Sequence, residues 1–133
     1  MRRFVISELS MSPALTPGDT FLARRLRRPH RGVVAVFPHP HRPELWLAKR
    51  VIGLAGEMVS IHAGLVYVDG VELEEPWTTD DTGPDGDWDI PSRHMFVLSD
   101  ARHRTLADSR TMGPVPVRGA HTPWLRFRRG GAP

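Results

Sequence analysis

Ser10 and Lys49 are the two side chains of this sequence whose types suit amide-bond cleavage without a metal or cofactor. Lys49 is the only lysine; the other 17 basic side chains are arginine. Either residue serves a solvated face, so a lysine that survives alone points to work arginine cannot do. Arginine stays protonated at any usable pH, whereas a buried lysine can lose its proton and act as a base. Leu45, Trp46, Leu47, Val51 and Ile52 flank it with apolar surface. In a strand, Leu47, Lys49 and Val51 share one face and Ala48, Arg50 and Ile52 the other. That predicts a desolvated Lys49 and an Arg50 turned away toward an acid such as Asp100. Ser10, at a strand-to-turn junction in Ser10-Met11-Ser12-Pro13, would be the nucleophile, with Met11 packed on the lysine stem.

Other reactive groupings are weaker. His30, His39 and His41 lie in or near Pro-His-Pro-His, which has no fixed geometry and no acidic partner, so no metal site is expected. His94 and His103 offer a Ser-His alternative. Asp80, Asp81, Asp85, Asp87 and Asp89 lack the spacing of a calcium loop and read as a solvated segment. Trp46, Trp77, Trp88 and Trp124 suit packing better than base stacking. With no cysteine there is no disulfide, thiol nucleophile or cysteine-based zinc site.

The elements that must hold Ser10 and Lys49 follow from patterning. The 133 residues suit one domain, 1–133, and 13 Pro with 12 Gly favour many short strands over long helices. Strands are expected at Phe4–Ile6, Thr20–Ala23, Val33–Phe37, Leu45–Gly53, Met58–His62, Leu65–Val68, Val71–Leu73, Met95–Leu98, Val115–Val117 and Trp124–Phe127. Asp69-Gly70 suits a two-residue hairpin turn. Pro38 to Pro43 reads as irregular loop. Residues 78–89 read as an exposed, mobile loop and 128–133 as a frayed tail. The formal charge is +3. The run Arg24, Arg25, Arg27, Arg28, Arg31 is either a solvated hairpin or a contact for anionic lipid; no nucleic acid is expected. No stretch reaches the roughly 20 apolar residues of a membrane span, and the start is not a secretory signal. Membrane work would then require peripheral binding or an anchor outside this chain.

Four ordered blocks carry a family likeness. They are Ser10-Met11-Ser12-Pro13-Ala14-Leu15-Thr16-Pro17-Gly18-Asp19, then Arg31-Gly32-Val33-Val34-Ala35-Val36-Phe37, then Lys49-Arg50-Val51-Ile52-Gly53-Leu54-Ala55-Gly56-Glu57. The fourth runs from Phe96-Val97-Leu98-Ser99-Asp100 through Asp108-Ser109-Arg110 to Gly113-Pro114-Val115-Pro116. Together they resemble the bacterial type I signal peptidases, the S26 serine peptidases, with patterns like S-M-x-P-T-L-x-x-G-D, R-G-D-I-V-V-F, K-R-V-I-G-L-P-G-D and G-D-N-R-x-x-S-x-D-S-R. The likeness spans about Val5 to Pro116. It implies an all-β fold of coiled antiparallel sheets with little helix and a Ser-Lys dyad of Ser10 and Lys49. It implies ion pairs Arg50–Asp100 and Asp108–Arg110 in support, and a groove for small residues lined by Ile6, Met11, Leu15, Leu47 and Ala48.

The departures from the pattern are local. Glu8 stands where the family has Ser or Gly, and a carboxylate cannot donate to an oxyanion unless protonated. Ser99-Asp100-Ala101 replaces G-D-N. The loop before Asp108 is one residue longer, so the serine that holds the lysine maps to Thr105 by chemistry or to Leu106 by counting back. The implied activity is endopeptidase cleavage of leader peptides after Ala-X-Ala-like residues, with a peptide or preprotein substrate, no cofactor, and peripheral contact with anionic membrane. The implied place is the outer face of the bacterial cytoplasmic membrane; the alternative is cytoplasmic. Rival readings are a maturation protease for one precursor, a self-cleaving protease of the LexA and UmuD type, and a non-catalytic basic binding module. Client and oligomeric state are not legible.

Overall fold

β-branched and aromatic runs become strands wherever Gly or Pro turns break them. The computed structural model describes residues 1–8 and 10–127. The elements are β1 (Arg2–Val5), β2 (Thr20–Arg25), β3 (Val34–His39), β4 (Arg42–Leu54), β5 (Met58–His62), β6 (Leu65–Val68), β7 (Val71–Glu72), β8 (Gly86–Asp89), β9 (His94–Leu98), α1 (Ser109–Met112), β10 (Val115–Pro116) and β11 (His121–Phe127). A seven-stranded sheet has the order β1-β2-β11-β3-β4-β9-β10, and a four-stranded sheet the order β7-β6-β5-β8. Every pairing is antiparallel, as the all-β expectation required. The β6–β7 turn takes Asp69 and Gly70 at φ 49° and 80°, the positive values that a tight hairpin demands.

Three apolar clusters fix the framework. Phe37, Leu47, Val51 and Val97 pack in one, while Ile52, Val59, Ile61 and Phe96 join the small sheet to β4 and β9. Met11, Leu15, Phe21, Ala23 and Val36 make the third, directly beneath the Ser10 turn. Fully burying one such side chain contributes about 1.5–3 kcal/mol, so the floor under Ser10 is firmly held.

Two expectations fail. Pro38–Pro43 is not irregular loop: β3 runs to His39 and β4 begins at Arg42, with Pro38 opposite Trp46 and a bulge before His39. Prolines are tolerated there because β9 pairs with β4 only from Arg50 on, so this hairpin end has a free edge. Residues 78–89 are not a free loop: β8 pairs with β5, Thr82 is buried, and Thr78 Oγ1 donates to the Asp100 carbonyl at 2.7 Å. The stretch after Asp108 is a helical turn, α1, capped by the Asp108 carboxylate accepting from the Arg110 N–H. The tail expected at 128–133 lies outside the described residues. No helix among the described residues is long and apolar enough to cross a membrane.

Candidate active site

Lys49 sits mid-way along β4, opposite Ala35 of β3, whose methyl leaves room for the lysine stem. It is 1% exposed, among the largest fully buried side chains of the molecule. Burial pushes its ammonium below the ordinary lysine value. Asp108, Glu8 and Asp100 pull it partly back up, and Arg110 pushes it further down.

Ser10 lies in the turn after β1, with Leu9 beside it outside the described residues. Two contacts tie that turn to the segment after β9: the Ala101 N–H donates to the Ser10 carbonyl at 2.9 Å, and the Asp100 N–H reaches Met11 Sδ at 3.4 Å. Ser10 and Lys49 line one cavity of about 100 Å3 with Ile6, Met11, Leu47 and Ala48. Leu15 does not line it; the turn folds it inward, 4% exposed, so it supports the floor and does not face a ligand. Among the described residues no hydrogen bond joins Ser10 Oγ to Lys49 Nζ.

The lysine amine donates instead to Ser99 Oγ at 3.0 Å. This corrects the assignment to Thr105. The Thr105 hydroxyl accepts from the Ala107 N–H, its carbonyl accepts from Arg110, and Leu106 is an exposed apolar side chain. Counting back from Asp108 failed because the inserted residue shifts that loop; the hydroxyl comes from the end of β9. Ser99 is held at three points. Its N–H donates to Asp108 Oδ2 at 3.0 Å, its carbonyl accepts from Arg102 Nε at 2.5 Å, and its hydroxyl takes the lysine. Arg102 is itself buried, paired with Glu75 at 2.7 Å and donating to Thr82 Oγ1 at 2.6 Å. The signal for Ser99 was present as a hydroxyl where the family pattern has glycine.

The expected ion pairs form. Arg50 meets Asp100 through two bonds, 3.1 and 2.5 Å, and its guanidinium lies over Trp77. Arg110 pairs with Asp108 at 2.8 Å and donates to the Gly83 and Thr105 carbonyls, bracing the neighbouring loops. Burial alone would raise the Asp108 carboxyl, but bonds from Arg110 and the Ser99 N–H hold it below the usual range. Glu8 is exposed and lines the same cavity as Ser10.

A buried lysine lining the same cavity as a serine has the groups that acyl transfer needs. The sequence pattern described as signal peptidase, peptidase S26, matches residues 1–122. The chain belongs to the S26 signal peptidase family. It is similar to signal peptidase I of Leptolyngbya laminosa, 36% identical over 129 residues, covering 86% of this chain and 61% of that protein. It is also similar to the mitochondrial ATP-independent inner membrane protease subunit 1b of Arabidopsis thaliana, 34% identical over 112 residues, covering 80% of this chain and 57% of that one. The crystal structure of a signal peptidase I from Enterococcus faecalis V583 superposes with a TM-score of 0.64 at 27% identity, covering 74% of this chain and 98% of that chain. The chain thus spans about three fifths of the length of these two sequence relatives.

Proposed function

We propose that the chain is a serine endopeptidase that cuts leader peptides from preproteins, with Ser10 as nucleophile and Lys49 as general base. The observation that carries this is that the buried Lys49 lines the same small cavity as Ser10. A neutral amine has two N–H groups and one lone pair. Giving one N–H to Ser99 Oγ leaves the lone pair free to take the Ser10 proton. Ser10 Oγ then attacks the scissile carbonyl and forms an ester. Lys49, now an ammonium, returns the proton to the leaving amine. Water, deprotonated by the same amine, hydrolyses the ester and restores Ser10. Ser99 acts through Lys49 and is a positioning residue; Asp108 and Arg102 hold Ser99 in turn.

The cavity sets the specificity. About 100 Å3 is small against the roughly 300 Å3 at which pockets for larger ligands begin. It suits a small, alanine-like side chain better than a bulky one. Among the described residues, the segment of β4 from Arg42 to Ala48 has β3 on one side and no strand on the other, so an extended peptide can add along that edge. Leader peptides emerge at the outer face of the bacterial cytoplasmic membrane, which is the place this reading implies; the name of one relative, an inner membrane protease of mitochondria, supports work at a membrane.

The test is cleavage of a preprotein peptide by wild type, Ser10→Ala, Lys49→Ala and Lys49→Arg, with thermal melts showing that each variant folds. All three variants are expected to be inactive, Lys49→Arg included, because arginine cannot release its proton. Substantial activity in Lys49→Arg removes the base assignment. Peptides with Ala before the cut should be processed and those with Phe should not; equal cleavage refutes the pocket.

A further inference from the structure

A second cavity, of about 580 Å3, opens on β4 beyond Lys49 and shares no lining residue with the first. Its nearest β4 residue, Leu54, lies five positions along the strand, roughly 17 Å from Lys49. Leu26, Leu54, Val117 and Ala120 give it apolar walls, and Arg25, Arg27, Arg28, Arg93 and Arg118 stand around them. Among the described residues no Asp or Glu lines it. Arg31, Arg50, Arg102, Arg110 and Arg126 each pair with a carboxylate. The five around the cavity do not, among the described residues; neither do Arg2, Arg3, Arg24, Arg42 and Arg104, but the five are gathered around one apolar cavity. Like charges gathered without counter-charge repel one another, and an anion between them relieves that repulsion.

The arginines come from three separate stretches of chain, and the backbone fixes those stretches together. The Leu26 N–H donates to the Ala120 carbonyl at 2.9 Å, and the Val117 N–H to the Arg93 carbonyl at 2.9 Å. Arg93 itself has φ 62°, a left-handed conformation that a long side chain rarely adopts. Such a residue persists only where its surroundings hold it, and here they hold a guanidinium at the cavity rim. Guanidinium forks match phosphate oxygens, and the apolar walls suit hydrocarbon.

We propose that this cavity binds the phosphodiester headgroup of an anionic phospholipid, with Arg27, Arg93 and Arg118 on the phosphate and Leu26, Leu54 and Val117 against the glycerol and first methylenes. The site would seat the protein on an anionic bilayer through a defined pocket rather than a diffuse basic face.

The experiment titrates the full chain with monomeric dihexanoyl-phosphatidylglycerol below its micelle concentration, followed by amide chemical shifts. Parallel arms use dihexanoyl-phosphatidylcholine and inorganic phosphate. The cavity variant is Arg27→Gln/Arg93→Gly/Arg118→Gln, in which glycine also relieves the strained φ. The control, Arg3→Gln/Arg42→Gln/Arg104→Gln, removes the same charge from exposed sites outside the cavity. Shifts are expected at residues 26–28, 54–55, 93–94 and 117–120, with affinity for the glycerol lipid at least about tenfold above the other two ligands. Each phosphate-facing arginine is worth about fivefold, so the cavity variant should lose well over tenfold while the control stays near wild type. Equal loss in both variants, equal binding of the choline lipid, or shifts elsewhere overturns the proposal. Phosphate binding as tight as the glycerol lipid assigns the pocket to free phosphate compounds and also overturns it.

Discussion

Ser99→Ala isolates the hydroxyl that Lys49 uses and leaves the rest of the site in place. The two backbone bonds that hold residue 99, from its N–H to Asp108 and to its carbonyl from Arg102, survive the change. What disappears is the 3.0 Å bond from Lys49 Nζ. A hydrogen bond to a charged group is worth about 1.5–3 kcal/mol and one between neutral groups about 0.5–1.5 kcal/mol. The hydroxyl therefore stabilises the ammonium over the amine by about 1–2 kcal/mol, which is about one pKa unit. Removing it should move the alkaline-going limb of kcat/KM about one unit toward lower pH, because less ammonium remains to be deprotonated at any pH. On the plateau, kcat should fall about 10- to 100-fold, since the amine loses its orientation toward Ser10. KM should change little, because Ser99 does not line the peptide cavity. Ser99→Thr should recover most of the rate. Steady-state cleavage of a fluorogenic leader peptide across the pH range reads all three quantities. A limb that stays in place with kcat within twofold of wild type would refute the positioning role.

Two further outcomes follow from burial. Lys49 has a folded-state pKa below its unfolded value of 10.5, so the unfolded chain binds more protons between those values and wild-type stability rises with pH across that window. The melting temperature of Lys49→Met minus that of wild type should therefore shrink as pH climbs toward 10.5; a constant difference contradicts burial as the cause. Gly53→Ala should destabilise the fold by about 1–3 kcal/mol, because its Cβ would sit 2.4 Å from Ile90 Cδ1 and 2.5 Å from Val59 Cγ2. Chemical denaturation measures this, and a neutral result would show that the β4–β5 packing yields.

Most strands were legible because apolar runs and Gly or Pro punctuation coincide, as in Val34–Phe37 and the Asp69-Gly70 hairpin. Pairing order was not. That β11 sits between β2 and β3 is a long-range fact with no local trace in Trp124-Leu125-Arg126-Phe127. The acidic composition of 78–89 hid β8, whose partner is β5 and whose anchors are Thr78 and Thr82. Lys49 was legible as a singular residue type in apolar company. Arg102 was not, because one arginine among 17 carries no mark until Glu75 and Thr82 are seen around it.

Ser99 sharpens that point, because the position that sequence counting favours can be tested against the one the fold uses. If hydroxyl chemistry anywhere in the loop sufficed, Ser99→Ala/Leu106→Ser would restore the rate lost in Ser99→Ala. The structure predicts that it does not. Leu106 is 44% exposed and stands on a loop fixed by Arg110 to the Thr105 carbonyl and by Thr111 Oγ1 to the Leu106 carbonyl at 2.6 Å. A serine there would be solvated, and drawing it to Lys49 would break both bonds, at about 1 kcal/mol or more each. One lysine hydrogen bond cannot offset that. The double variant should match Ser99→Ala in kcat and in the position of the pH limb. Recovery of both would mean that the loop is free to re-register, and that Thr105 and Leu106 were passed over on geometry the protein does not enforce.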